Sequence, residues 1–139
     1  MANSPHFDSA CNPAMITDLG AIGTLLNSGF IDIYSGSQPA LDGSVTGTRL
    51  VRMTFGATAF AAAADVAGVI TMVANAITSD TAAVAGTAGY FALMKSDGTT
   101  HVATGSVGTS GADLNLNSLT IAGGATVACS SFTITAPRS

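Results

Sequence analysis

The sequence predicts a mainly β protein: a jelly roll or β-sandwich of seven or eight antiparallel strands with one short N-terminal helix. Three observations lead there. Apolar residues recur at spacings of three and four only near the start, from Met15 to Leu26, and at spacings of two through most of the chain after Phe30. Glycine and aspartate punctuate the alternating stretches at short intervals, which is turn chemistry between strands. The third is scarcity of charge. Four basic and eight acidic side chains make up 9% of 139 residues, against about 25% in an ordinary soluble domain.

Residues 1–12 read as a polar, irregular arm containing Pro5, and residues 13–139 as one β domain that includes a helix over 13–27. Asn12 can cap that helix, with Pro13 at its first position. Met15, Ile16, Leu19, Ile22, Leu25 and Leu26 form its apolar stripe, and Gly29 can close it in the left-handed conformation.

Phe30–Ser35 is the first expected strand, with Ile31 and Ile33 on one face and Asp32 and Tyr34 on the other. A loop over 36–47 leads to a strand at Thr48–Phe55, where Val51, Met53 and Phe55 alternate with Leu50, Arg52 and Thr54. The alanine-rich run 57–64 is too short for a helix and reads as a loop or a single turn. Val66–Val73 is a near-continuous apolar strand, and Ile77 begins a short one. Thr87–Lys95 and His101–Val107 pair through the turn Ser96-Asp97-Gly98-Thr99. Leu114 and Leu116 alternate out of phase with Leu119 and Ile121, which suggests one strand bulged near Asn117-Ser118. Gly123-Gly124 marks a hairpin into the last strand, Ala125–Thr135.

Composition also narrows function. A net charge of −4 with four cations argues against direct binding of nucleic acid, which needs a basic stripe. No run approaches the roughly 20 apolar residues of a membrane span, and the start lacks a secretory pattern. Cys11 and Cys129 read as separate thiols in apolar settings rather than a disulfide. His6 and His101 stand at no familiar catalytic spacing from Cys or Asp. The aspartates sit singly, Asp42, Asp97 and Asp113 at turns. No metal-ligand spacing occurs, so neither metal nor cofactor is expected. Gly105, Gly108 and Gly111 lack the lysine and helix start of a phosphate loop and read as an inter-strand loop. A sugar-binding module would need ring platforms, and only Tyr34 and Tyr90 offer amphipathic ones. The reading is of a non-enzymatic protein whose neutral surface is made to be covered.

Several stretches carry a resemblance. Ile33-Tyr34-Ser35-Gly36-Ser37-Gln38-Pro39 and the run from Gly105 through Asp113 to Leu116 resemble motifs of small virion proteins of tailed bacteriophages. Ala76 to Asp80, Lys95 to Thr99 and Ser131 to Thr135 extend the likeness over about residues 13–136. Within that class, size and β pattern are similar to those of capsid cement, or decoration, proteins.

The resemblance implies a jelly roll or sandwich that binds the outside of a phage head, stabilises contacts between major capsid subunits and associates with itself as dimer or trimer. It implies a virion location after synthesis in the host cytoplasm, no membrane, and no catalytic residues. Pro5, His6 and Phe7 in the arm are candidate capsid contacts by our own reading, outside the resemblance. A tail or fibre adaptor is the alternative, and a carbohydrate-binding module ranks below both.

Overall fold

A computed structural model of the chain describes residues 12–40, 43–81, 83–116, 118–129 and 132–137. Helix α1 (Asn12–Leu25) forms where expected, with Pro13 in its first turn. Its buried side differs from the expected stripe. Leu19, Gly23 and Leu26 are buried and Ile16 partly so, while Ile22 and Leu25 are 40% and 47% exposed. Positions 16, 19, 23 and 26 share one arc of the helix, and Ile22 and Leu25 fall off it. Gly23 completes the arc because a methyl group there would lie 2.8 Å from Met72 Sδ. Helix closure also differs: Ser28, not Gly29, takes the positive φ of 56°. Gly29 is needed for close approach, since a Cβ would sit 2.3 Å from the Met94 carbonyl oxygen.

The main sheet has strand order β5-β2-β1-β7-β8-β9. Its members are β1 (Phe30–Tyr34), β2 (Arg49–Phe55), β5 (Ile77–Thr78), β7 (Tyr90–Met94), β8 (His101–Gly108) and β9 (Leu114–Asn115). The expected two-residue alternation holds: Ile31 pairs with Met53 and Leu93, and Ile33 with Val51 and Phe91, all on one buried face. The turn between β7 and β8 is the expected one, with Gly98 at φ 71°.

The expectation of purely antiparallel strands fails at β9, which runs parallel to β8. Local bonding accounts for the return. The Asp113 carboxylate accepts the Ser106 N–H and hydroxyl at 3.0 Å each, and Leu116 N–H reaches the Gly108 carbonyl at 2.8 Å. Gly105 and Gly108 therefore lie inside β8 rather than in a loop. Gly105 makes room for the Phe91 ring, 2.4 Å from where its Cβ would be.

A three-stranded sheet, β11-β4-β3, combines β3 (Ala64–Val66), β4 (Val69–Val73) and β11 (Thr133–Pro137). What reads as one strand over Val66–Val73 is instead a hairpin turning at Ala67 (φ 52°) and Gly68 (φ 85°). Two consecutive positive φ values are the geometry whose twist matches a two-residue hairpin, and Asp65 Oδ1 accepts the Gly68 N–H at 3.1 Å. β6 (Gly86–Thr87) and β10 (Thr120–Ile121) form a separate pair.

Two more expected strands are thereby divided. Thr87–Lys95 breaks at Ala88–Gly89, because Gly89 passes so close to Gly36 that a Cβ would lie 1.9 Å from its carbonyl oxygen. Leu114–Ile121 is not one bulged strand but β9 and β10, in different sheets. The last strand shortens to β11, and Val127 makes only an isolated bridge to Asp80. The described residues thus hold eleven short strands, not seven or eight.

The core lies between one face of the main sheet and the layer formed by α1, the 57–63 segment and β11-β4-β3. Phenylalanines link the layers: Phe91 meets Phe132 edge-on at 5.6 Å, and Phe60 touches Phe132 at 6.2 Å and Phe55 at 5.4 Å. Burying such rings is worth roughly 1.5–3 kcal/mol each.

Candidate interaction surface

Polar chemistry gathers on the second face of the main sheet and is largely spent there. Asp32 is fully buried and lies opposite Arg52 in the β1–β2 register. The guanidinium grips it with two bonds, Nε to Oδ1 at 2.8 Å and Nη2 to Oδ2 at 2.7 Å. Arg52 Nη2 also donates to the Gly98 carbonyl at 2.9 Å, and its guanidinium carbon lies 4.4 Å from the Phe30 ring centroid. Its bond to Asp32 raises the already high pKa of Arg52. The pair thus ties β1, β2 and the β7–β8 turn together.

Tyr34 and Tyr90 stack at 5.5 Å on the same face. The Tyr90 hydroxyl accepts the Thr46 N–H at 2.9 Å and donates to the Thr46 carbonyl, which holds the chain at Thr46 against the sheet. Burial, followed by the nearby Asp32 charge, raises the Tyr34 pKa. Gln38 Nε2 donates to Thr104 Oγ1 at 3.1 Å. Tyr90 is fully buried, so its ring serves packing and not a ligand.

The three-stranded sheet is the opposite case. Ile70 and Met72 point to the core, so Val69, Thr71 and Val73 point out. Register adds Val66, Thr133 and Thr135 to that outer face. Val66 is 57% and Val73 46% exposed. The segments 66–79 and 114–137 contain no charged residue at all. This face is therefore rich in β-branched residues and neutral, and nothing on it would have to shed the hydration shell of an ion on contact.

Beside it lies a cleft of about 290 Å³, floored by Phe91, Leu93 and Phe132 and flanked by Ala103 and Thr104 of β8 and by Ile134 of β11. Asp113 stands at its wall, with its carboxylate already bonded to Ser106.

Pro5, His6 and Phe7, like Cys11 and Asp42, lie outside the described residues. Cys129 is buried in the core. His101 opens β8 and is half-buried. Among the described residues no group of three or more His, Cys, Asp or Glu could hold a metal ion, and no helix is long and apolar enough to cross a membrane. No protein-family model, curated protein or solved structure matches the chain.

Sequence reasoning missed the neutral outer face because it read Val66–Val73 as a single strand. The available signal was Ala67-Gly68, a glycine inside a run that periodicity alone could not divide.

Proposed function

We propose that the chain is a structural protein of a tailed-phage virion, a cement protein that binds the outside of the head and bridges major capsid subunits. The observation that carries this reading is the outer face of Val66, Val69, Thr71, Val73, Thr133 and Thr135, which presents valine and threonine side chains and no charge. Binding confined to the assembled shell stabilises that shell by mass action, and many copies acting through modest interfaces reinforce it together. The likeness of Ile33 to Pro39 and Gly105 to Leu116 to phage virion motifs supports the same reading. Two layers facing each other across a phenylalanine-rich core support the finer reading of a modified β-sandwich.

The test is retention on purified heads together with copy number per particle. Val73→Asp places a charge on the outer face, at the end of β4, without touching the core and should lower occupancy at least about tenfold. Deleting residues 2–11 tests the Pro5, His6 and Phe7 contact separately. Copy number comparable to that of the major capsid protein is expected. A small multiple of three or six would move the protein to the tail or a fibre, and unchanged occupancy of Val73→Asp would remove the outer face from the interface.

A further inference from the structure

The backbone of β11 shows which of its polar groups are already paired. Ala74 N–H donates to the Phe132 carbonyl at 2.8 Å, and the register runs on unshifted from Thr133↔Val73 to Pro137↔Val69. Hydrogen-bonded pairs alternate along an antiparallel ladder. Phe132, Ile134 and Ala136 therefore aim their backbone groups at β4, while Thr133, Thr135 and Pro137 aim theirs the other way. On that side no described strand follows, because β11 ends the order β11-β4-β3. Pro137 fits this parity: it lacks an N–H and stands where no ladder bond is lost.

Edge strands are usually guarded by charge, bulges or inward-pointing lysines. β11 has no charge, its register has no shift, and its outward positions before Pro137 are both threonine. Its inward-facing Ile134 borders the cleft floored by Phe91, Leu93 and Phe132.

We propose that two copies of this chain join along this edge, β11 against β11, antiparallel about a two-fold axis through Ile134. In that register Thr133 of each copy faces Thr135 of the other, and each such pair exchanges both backbone bonds. Ile134 meets its counterpart at a non-hydrogen-bonded position, where side chains approach most closely, beside the apolar cleft floor. A second copy is the occupant because the edge is its own complement. Neutral surface meets neutral surface, and the outward donors and acceptors match within the short ladder that Pro137 leaves. The result is one continuous sheet, β3-β4-β11 followed by its symmetry mate, with a doubled neutral outer face. This dimer stands independently of the virion reading.

Sedimentation equilibrium of the full chain from about 1 to 200 µM, with amide hydrogen exchange at both ends of that range, tests it. A monomer–dimer equilibrium is expected, with the Thr133 and Thr135 amides gaining protection as concentration rises. Thr135→Pro removes an outward N–H but no bond to β4, and should weaken the dimer at least about tenfold with unchanged circular dichroism. If that variant does not fold, exchange in the unaltered chain decides. A monomer throughout, a Thr135→Pro dimer as tight as the original, or protection independent of concentration overturns the proposal. Concentration-independent protection that vanishes on deleting residues 2–11 would assign the edge to the chain's own N-terminal segment instead.

Discussion

Replacing Arg52 by leucine should be among the most damaging single substitutions in this protein. Asp32 is 0% exposed and the Arg52 side chain 25% exposed, so the substitution strands a carboxylate in the interior. It removes both bonds to that carboxylate, the bond to the Gly98 carbonyl and the stacking over Phe30. Breaking one side of a buried ion pair costs about 3–5 kcal/mol, and most of that is the unpaired charge. Total stabilities run about 5–15 kcal/mol, so a large share is lost. At roughly 3–4 °C per kcal/mol for this size, the melting temperature should fall about 10–20 °C.

The same reasoning predicts recovery. Changing Asp32 to leucine as well removes the stranded charge, and buried pairs replaced by apolar residues are often neutral. The double variant should regain at least about 2 kcal/mol over Arg52→Leu alone. Urea titrations at pH 7 followed by circular dichroism give both values. A cost below about 1 kcal/mol for Arg52→Leu, or a double variant no more stable than the single one, would refute the argument.

Other expectations are more local. Gly20→Ala has nothing within 4 Å of the new methyl group and should stabilise α1 by about 0.5–1 kcal/mol. Gly89→Ala should instead cost at least about 1–3 kcal/mol, because its methyl would meet the Gly36 carbonyl; urea midpoints that rank the two the other way contradict the close approach. Ala67→Asn relieves a positive φ in the β3–β4 turn and should add about 0.5–1 kcal/mol; a loss of stability would argue against that turn geometry. The Asp97 carboxylate accepts the Thr99 and Thr100 N–H groups and the Thr100 hydroxyl, which hold its pKa well below the usual carboxylate range. A depressed folded pKa stabilises above the unfolded value, near 4, and that stabilisation is lost as pH falls through the folded one. The stability gap between the native chain and Asp97→Ala should be full at neutral pH and narrow on acidification below about pH 4; melts showing it widen would contradict the bonding.

Much of the local structure was legible because its causes lie within a few residues. Pro13 and the three-and-four spacing marked α1, and Asp97-Gly98 marked the β7–β8 turn through the aspartate's own bonds to Thr99 and Thr100. Alternation placed Ile31, Ile33, Val51 and Met53 on one face. Where the reading failed, a distant group decided. Gly89 splits a strand because Gly36 passes against it, and Gly29 is required by the Met94 carbonyl and not by a left-handed turn. Ile22 and Leu25 matched the helical stripe yet stay exposed, because β4 fills the arc of Leu19, Gly23 and Leu26.

By itself, the sequence determined a mainly β chain with one helix near its start, its principal turns, and a surface nearly empty of charge. These follow from composition and from periods of two and 3.6, which neighbouring residues set. The tertiary structure alone decided which strands share a sheet, that β9 returns parallel to β8, and that Asp32 is buried against Arg52. It also decided where uncharged surface gathers: on the outer face of β11-β4-β3 and along the edge of β11, where no described strand follows. Strand pairing joins residues far apart in the chain, and a period of two says that a strand has two faces without saying what either face meets.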